Sequence, residues 1–294
     1  MPTSASADVS AGIFKAVVPA AGLGTRLRPL SCVCPKELLP VGRLPVLGYV
    51  VEELRNAGIT RVLFIISERK TQIRDFFGTV YTGGDESRPP LHCDYRVQEE
   101  QRGSGDAVLQ AAEWVGADPF VVAFGDCLIE APDPSGPLRR LIATYRQQNA
   151  AATVLVETVD PEKVSRYGVV DPVDPVGEHP VEPFALRDIV EKPPRERAPS
   201  RLVIAARFVL SASIFRHLRQ TGPDPRGEWN LPDSMRPMRH ERGGLWAVPL
   251  RAGEYRHDIG NFESYYAAFL RAALRDPELG ASMRATLTAE INRS

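Results

Sequence analysis

The chain has 294 residues, of which 43% are hydrophobic and 25% are charged, an ordinary composition for a globular protein. Its net charge of -1 gives no general attraction to nucleic acid or to an anionic membrane, so any phosphate binding must be local. No apolar stretch approaches the roughly 20 residues of a membrane span, and residues 1–12 lack the apolar core of a signal peptide. We interpret residues 1–12 as a disordered tail. The four cysteines fit neither a zinc pattern nor a disulfide scaffold, which indicates free thiols in a reducing cytoplasm.

The first structural signal is an apolar run, residues 16–19, that opens into a glycine-rich turn. Small residues let the backbone approach a ligand closely, and consecutive free N–H groups form a concavity that suits an anion. Arg26, Arg28 and Lys36 add three cations to this loop. The segment therefore predicts a phosphate site, and a triphosphate is the anion that best explains so many cations. The loop comprises Ala20, Ala21, Gly22, Leu23, Gly24, Thr25 and Arg26.

Two better-known glycine loops are excluded by spacing. A P-loop requires Gly-Lys-Ser/Thr at its end, and no such run occurs here. A dinucleotide fingerprint requires a third glycine where this chain has Leu27, which argues against a Rossmann dehydrogenase. The bare Gly-x-Gly pattern is equally consistent with a tight turn, so the flanking residues decide its meaning.

The rest of the first half alternates strands and helices. Strands are predicted at residues 61–66, 93–98 and 120–124, and helices at 45–56, 71–77, 105–114 and 138–148. This order predicts a right-handed, doubly wound, mostly parallel α/β sheet. Ligands of such sheets lie at the carboxyl ends of the strands. The opening loop, Gln98 and Asp126 all fall at such ends, so we expect them to converge on one crevice.

The second half is richer in short strands and proline-containing connections. Strands are predicted at residues 153–159, 168–171, 185–190, 203–210 and 245–250, and helices at 211–219, 231–240 and 262–274. A charged tail follows. This pattern of short strands and proline-containing connections is expected of a smaller, β-rich substrate-binding lobe.

Several separated motifs resemble, in the right order, the sugar-nucleotide pyrophosphorylases, which are nucleoside triphosphate:sugar-1-phosphate nucleotidyltransferases. The sequences of these motifs are most similar to those of the bacterial UTP–glucose-1-phosphate uridylyltransferases. The resemblance covers residues 15–280, with gaps. The motifs are Gly24-Thr25-Arg26, Pro35-Lys36-Glu37, Gly125-Asp126, Tyr167-Gly168-Val169-Val170, Glu191-Lys192-Pro193, the segment from Glu228 to Asp233, His257-Asp258-Ile259-Gly260, and Arg275-Asp276-Pro277-Glu278-Leu279-Gly280.

The resemblance implies a Rossmann-like nucleotidyltransferase fold in one domain, residues 13–280. Within it we expect a nucleotide-binding half at 13–150, a sugar-binding half at 151–260 and a C-terminal helix at 261–280, followed by a tail at 281–294. The implied reaction is attack of a sugar 1-phosphate on the α-phosphorus of UTP, with release of pyrophosphate. The expected partners are therefore a nucleoside triphosphate and a sugar 1-phosphate, with no nucleic acid or membrane, and the protein is expected to be a homo-oligomer, a dimer or a tetramer.

The resemblance also implies residue roles. Arg26 and Lys36 would be catalytic, and Asp126 and Asp258 would hold Mg²⁺, a hard ion that suits carboxylates. The sugar phosphate would be bound by Gly168, Glu191 and Lys192. The nucleotide would be bound by Ala20, Ala21, Gly22, Gly24, Thr25, Gln98, Gly105 and Asp126. Without the resemblance, Asp126 would be interpreted as a cap of the next turn and Asp258 as a cap of the helix that follows.

Departures from the family pattern leave alternatives open. Asp106 stands where uridylyl members commonly have His or Gln. From the local sequence alone, Asp106 is predicted to cap a helix. Trp229, Asn230 and Pro232 differ from the family's Glu-Ile-Gln-Leu-Thr-Asp run. A sister enzyme that uses dTTP, another triphosphate or another sugar phosphate is one alternative. A non-catalytic sugar-nucleotide-binding regulator is the second, although such a protein is expected to lose a metal carboxylate or a loop cation.

Overall fold

The computed structural model describes residues 12–224 and 227–293. Of the tail predicted at residues 1–12, positions 1–11 lie outside the described residues. The strands are β1 (Lys15–Pro19), β2 (Pro40–Val41), β3 (Leu44–Pro45), β4 (Arg61–Ile66), β5 (Val80–Tyr81), β6 (Leu91–Val97), β7 (Phe120–Ala123), β8 (Cys127–Glu130), β9 (Ala152–Thr158), β10 (Gly168–Pro172), β11 (Phe184–Glu191), β12 (Leu202–Leu210), β13 (Leu245–Pro249) and β14 (Tyr255–Asp258).

The α-helices lie between and after these strands, with short 3-10 turns in the connections. They are α1 (Val46–Asn56), α2 (Thr71–Phe77), α3 (Ser104–Leu109), α4 (Ala112–Val115), α5 (Gly136–Gln147), α6 (Ile214–Thr221), α7 (Leu231–Met235), α8 (Phe262–Arg275) and α9 (Gly280–Ile291). No helix in the described part of the chain is long and apolar enough to cross a membrane.

One ten-stranded sheet organises the molecule, in the order β10-β11-β13-β9-β12-β7-β1-β4-β6-β5. Strand β1 pairs in parallel with β4 and β7, and β4 pairs in parallel with β6, as predicted for the first half. The second half extends the same sheet through β12, which is antiparallel to both β7 and β9. The sheet as a whole is therefore mixed, and its parallel core is the part that ends at the glycine-rich loop.

Both faces of the sheet are covered by helices. Alternate residues of a strand point to opposite faces, so Ala16 and Val18 of β1 pack in one apolar cluster while Val17 packs in the other. Helices α1, α2 and α5 contribute to the first cluster, and α3, α6 and α7 to the second. This double coverage explains the continuous apolar runs in the sequence, such as the five buried residues that follow Arg61 in β4.

Several predicted boundaries differ from the structure. The helix predicted at 105–114 is divided into α3 and α4. The helix predicted at 231–240 continues after α7 as a 3-10 helix, Arg236–His240, because Pro237 has no N–H for the α-helical ladder. The predicted charged tail at 281–294 is mostly helix α9, whose apolar residues are not gathered on one face. Strands β8 and β14 were not predicted, since neither shows an extended apolar or alternating pattern.

A fully buried ion pair connects β12 to α1. Arg207 has no exposed surface, and its Nε and Nη2 donate to the Glu53 carboxylate at 2.7–3.2 Å. Arg207 Nη2 also donates to the carbonyl of Cys127 at 2.9 Å, and Nη1 to that of Ala206 at 3.1 Å. Because Cys127 directly follows Asp126, this pair fixes the turn on which Asp126 is carried.

We expect the variant Arg207→Met to lower the free energy of unfolding by about 3–5 kcal/mol, because Glu53 is left buried and unpaired. The double variant Glu53→Leu/Arg207→Met should recover at least half of that loss, since no uncompensated charge remains. Chemical denaturation followed by circular dichroism measures both. Equal losses in the single and double variants would show that the ion pair is not the source of the effect.

Candidate active site

Two adjoining cavities open at the carboxyl ends of the parallel strands. The loop cavity, about 210 Å³, is lined by the glycine-rich loop from Pro19 to Gly22, by Lys36 and by Gln98. The distal cavity, about 370 Å³, extends toward β10, β11 and α7. Both share Asp126, which lies directly after β7, together with Gln101, Gly103, Ser104 and Phe124. A ligand that spans the two cavities therefore passes Asp126.

The predicted residues are brought together in two groups. Around the loop cavity lie Ala20, Ala21, Gly22, Lys36, Gln98 and Asp126. Around the distal cavity lie Asp126, Gly168, Glu191, Lys192 and Asp258. Gly24, Thr25, Arg26 and Gly105 line neither cavity in this structure. Arg26 is exposed on the 3-10 helix Thr25–Leu27, yet its charge acts on Asp258.

The glycine-rich loop is held in place by Lys70, which is not among the predicted site residues. Lys70 Nζ donates to the carbonyls of Ala20 and Gly22 at 2.7 and 2.6 Å. It also donates to both Glu37 oxygens, at 2.8 and 2.7 Å. These contacts bind the loop through its carbonyl groups. No single-sequence signal separates Lys70 from a solvated lysine, because its partners lie 33 to 50 positions away.

Burial dominates the electrostatics of this pair. Burial raises the pKa of Glu37, and the charges of Lys70 and Lys36 oppose that shift. Burial lowers the pKa of Lys70, and Glu37 opposes that shift. Each charge is therefore tolerated in the interior only because the other is present.

Lys36 lies beside Glu37 and forms a hydrogen-bonded ion pair with Asp126. Burial lowers the pKa of Lys36, but the negative charges of Asp126 and Glu37 outweigh burial and hold this pKa above its ordinary value. The pKa of Asp126 is lowered, since Lys36 outweighs the effect of burial. Lys36 thus stays cationic at the junction of the two cavities, within 3.7 Å of where a side chain on Gly22 would begin.

Asp126 and Asp258 are joined by backbone structure. Strands β8 and β14 are antiparallel with Cys127 opposite Asp258, and the N–H of Ile259 donates to the carbonyl of Asp126 at 2.9 Å. Burial and the charge of Asp126 raise the pKa of Asp258. Two hard carboxylates in mutual repulsion suit a divalent cation that completes its shell with water and phosphate. In the described residues no group of three or more His, Cys, Asp or Glu forms a metal site on its own.

His257 is not part of this carboxylate pair. Its Nε2 is hydrogen-bonded to Glu130 at 2.8 Å. Burial and the positive charge of Arg271 lower the pKa of His257 to about 4, so that the ring is neutral near pH 7. His257 therefore has a structural contact with Glu130 and no contact with the carboxylate pair in this structure.

The far wall of the distal cavity comes from β10 and β11. Gly168 pairs with Glu191, and a Cβ on Gly168 would lie 3.0 Å from Glu191 Oε2, so that a side chain there would displace the carboxylate. Burial raises the pKa of Glu191, opposed by Lys192. Lys192 has a left-handed φ of 45° and places its Nζ 3.3 Å from Glu191 and 3.6 Å from Glu228. The cavity thus offers a cation and a carboxylate side by side.

Gln98, at the opposite end, is oriented by Asp106. Asp106 is buried inside α3 and caps nothing, contrary to its simplest sequence reading. It accepts from Gln98 Nε2 at 2.6 Å and from Arg102 Nη2 at 3.1 Å. Gln98 Nε2 also donates to the carbonyl of Gly103 at 3.3 Å. With Nε2 directed at these acceptors, Oε1 is the amide atom left for a ligand.

A bridging segment, residues 228–231, connects the two cavities. The N–H of Trp229 donates to the backbone carbonyl of Arg102 at 2.5 Å. The carbonyl of Trp229 accepts from the N–H of Gly105 at 2.7 Å. The N–H of Leu231 donates to Ser104 Oγ at 3.0 Å. A Cβ on Gly103, whose φ is 117°, would lie 2.6 Å from the Trp229 carbonyl, so this approach requires glycine. Gly105 therefore contacts the bridging segment.

Comparison with known proteins supports the motifs. The chain matches the family described as nucleotidyl transferase over residues 15–274. The UTP–glucose-1-phosphate uridylyltransferase YngB of Bacillus subtilis strain 168 is 33% identical over 296 residues, which cover 96% of each chain. A UTP-bound UGPase from Acinetobacter baumannii superimposes with a TM-score of 0.82 at 31% identity, covering 94% of this chain and 99% of that one. A UDP-glucose pyrophosphorylase complexed with UDP-glucose gives 0.77 at 30% identity, covering 88% and 97%.

We expect Lys70→Met to destabilise the fold by about 3 kcal/mol at neutral pH, because Glu37 loses its main buried cation. The loss should be larger near pH 8 than near pH 5. Without Lys70 the folded-state pKa of Glu37 rises well above its unfolded value of about 4.3, and stability is lost as the pH rises through the folded-state pKa. Denaturation at the two pH values measures the difference. The control Glu37→Gln/Lys70→Met has no carboxyl at this position, and a persisting pH effect there would contradict the assignment.

Proposed function

The chain belongs to the nucleotidyl transferase family, and from that premise we propose that it transfers the uridylyl group of UTP to glucose 1-phosphate, giving UDP-glucose and pyrophosphate. Full-length similarity to uridylyltransferases and to UTP-bound and UDP-glucose-bound structures supports this reaction. The observation that carries it is Asp126, with Lys36 paired to it, at the junction of the loop cavity and the distal cavity. The α-phosphorus reacts at this junction.

The two cavities divide the substrates between them. UTP occupies the loop cavity, with loop N–H groups directed at its phosphates. Glucose 1-phosphate occupies the distal cavity, with Lys192 on its phosphate and Glu191 accepting from its hydroxyls. Residues 19–126 build most of the first cavity and residues 166–258 most of the second, which supports a nucleotide-binding half and a sugar-binding half.

The transfer needs no covalent intermediate with the protein. A phosphate oxygen of glucose 1-phosphate attacks the α-phosphorus, and the bond to the leaving pyrophosphate breaks in line. Catalysis of this kind rests on positioning and on neutralising charge. Lys36, held cationic, bridges the phosphates as they approach, and Arg26 stabilises the pyrophosphate as it leaves.

Nucleotidyltransferases of this kind generally use a divalent metal, which we propose is Mg²⁺ here. Asp126 and Asp258 would hold it, since the pairing of β8 with β14 brings them close together and both line the distal cavity, half-buried. When bound, the ion would neutralise phosphate charge. Water and substrate oxygens would supply its remaining ligands.

Base selection is assigned to Gln98. Its Oε1 accepts from N3–H of uracil, a donor that cytosine lacks. Thymine shares that donor, so this contact alone does not separate UTP from dTTP, and the choice of UTP rests on the relatives. Arg26, Lys36, Asp126 and Asp258 are all retained, which disfavours a non-catalytic regulator.

Assembly and location are further parts of the proposal. Tyr266, Phe269 and Leu270 of α8 are exposed large apolar residues, which supports a homo-oligomer, a dimer or a tetramer. The four unpaired cysteines and the expected substrates support a cytoplasmic location.

Pyrophosphate release tests the function directly. The purified chain should release pyrophosphate and form UDP-glucose only when UTP, glucose 1-phosphate and Mg²⁺ are all present. EDTA should stop the reaction and added Mg²⁺ should restore it. Lys36→Met should lower turnover by about 10²–10³-fold, as expected for loss of one preorganised charge. Faster turnover with dTTP or with another sugar 1-phosphate would identify the sister enzyme instead.

The variant Asp106→Asn tests the proposed role of Gln98 in selecting uracil over cytosine. Asparagine offers a donor as well as an acceptor, so the Gln98 amide is free to turn over and present its NH₂ to the cavity. We expect the ratio of kcat/KM for UTP over CTP to fall by about tenfold. Arg102→Met is the matched control, because it removes the other partner of Asp106 and leaves the contact to Gln98. An unchanged ratio in Asp106→Asn would refute the role of Gln98.

A further inference from the structure

Asn230 is a polar residue of the distal cavity that the proposed function has not used. It immediately precedes α7, in the bridging segment, and only 7% of it is exposed. It lines the distal cavity together with Gly168, Glu191 and Pro232. Its burial keeps the amide out of bulk solvent.

The amide nitrogen of Asn230 has no hydrogen-bond partner in the described part of the chain. Asparagine at this position ordinarily caps the following helix, yet its side chain makes no capping hydrogen bond. Burial raises the pKa of Asp233, and the charge of Arg236 and the Asn230 amide oppose that shift, so the amide lies close to this carboxylate. Even so, Nδ2 is buried and forms no hydrogen bond with Asp233 or with any other described residue. A buried donor without a partner is costly, and natural proteins rarely leave one without a reason.

The surroundings of Asn230 suit a sugar ring. Ile204 and Pro232 supply apolar walls, Glu191 supplies a half-buried acceptor, and Lys192 supplies a cation for the phosphate. A set that binds the hydroxyls of a hexose also needs a neutral donor. Asn230 Nδ2 supplies it.

The position of Asn230 is fixed by its neighbours. The N–H of Leu231 donates to Ser104 Oγ at 3.0 Å, and Ser234 Oγ donates to the carbonyl of Asn230 at 3.5 Å. The preceding residue, Trp229, is hydrogen-bonded through its backbone to residues 102 and 105. A donor held in this way is preorganised, which lowers the entropy lost when substrate binds.

We propose that Asn230 is a specificity-determining residue that donates from Nδ2 to a hydroxyl oxygen of the glucosyl ring. This contact rests on the proposed function, because it needs a hexose 1-phosphate in the distal cavity. At position 230 this chain has asparagine where the family run has glutamine. The proposed contact explains why the polar side chain is buried there. A site built to hydrogen-bond a hydroxyl discriminates against a substrate that lacks it.

Calorimetric binding of UDP-glucose and of UDP to the full chain tests the contact without requiring turnover. Asn230→Leu keeps a side chain branched at Cγ, although a larger one, and has no donor. We expect it to weaken UDP-glucose about tenfold and to leave UDP within twofold of wild type. Thr221→Ala, which removes a side-chain hydrogen bond on α6 and does not line the cavity, should change neither affinity.

Thermal unfolding separates a ligand contact from a structural role. Because Asn230→Leu removes an unpaired buried donor, the variant without ligand should melt no lower than wild type. The rise in Tm on adding UDP-glucose should shrink. A lower Tm without ligand, with an unchanged gain from UDP-glucose, would overturn the proposal.

Deoxy substrates identify the hydroxyl. Kinetics with the 2-, 3-, 4- and 6-deoxy forms of glucose 1-phosphate should show one penalty in wild type that disappears in Asn230→Leu, and four unchanged penalties would overturn the contact. The two levels of failure are distinct. A wild-type chain that binds UDP-glucose no better than UDP would overturn the proposed function and this contact together. A wild-type preference that Asn230→Leu retains would overturn the contact alone.

Discussion

The ammonium of Lys70 beneath the glycine-rich loop is the contact on which the site depends. Its bonds to the carbonyls of Ala20 and Gly22 hold the loop at the end of β1. Its pairing with Glu37 begins a series of alternating charges that continues through Lys36 to Asp126. Each charge in this series is compensated by the next, so Lys36 is held in place by a series of charges that begins at Lys70. The series ends at Asp258, where two negative charges meet and a divalent cation is the natural complement.

The sheet places this series where two substrates can meet. Parallel strands β1, β4, β6 and β7 bring the glycine-rich loop, Gln98 and Asp126 to one edge. The antiparallel strand β12 then joins the second half to the same sheet and carries Arg207, whose buried pair with Glu53 reaches the turn after Asp126. The bridging segment at residues 228–231 ties the loop that orients Gln98 to the distal cavity. The loop cavity and the distal cavity are therefore built on one sheet.

Local pattern was sufficient for much of the first half. Residues 61–66 and 71–77 were predicted as a strand and a helix with the bounds that β4 and α2 have. The rule that ligands lie at the carboxyl ends of parallel strands placed Gln98 and Asp126 beside the loop before any contact was known. Asp258 came only from the resemblance to a family, because the strand that carries it, β14, has no pattern of its own. The helical C-terminal segment was missed for the same reason.

The sequence by itself determined the family, the parallel core and the residue types of the site, because these depend on short runs whose spacing has a direct physical meaning. Tertiary structure alone decided which polar groups are paired. Lys70, Asp106 and Asn230 each look like solvent-exposed or capping residues in the sequence, yet all three are buried. Lys70 finds its partners 33 to 50 positions away, Asp106 finds its partners 4 and 8 positions away, and the amide Nδ2 of Asn230 has none among the residues that the structure describes. Burial of these groups depends on segments far apart in the chain, and no local pattern encodes it.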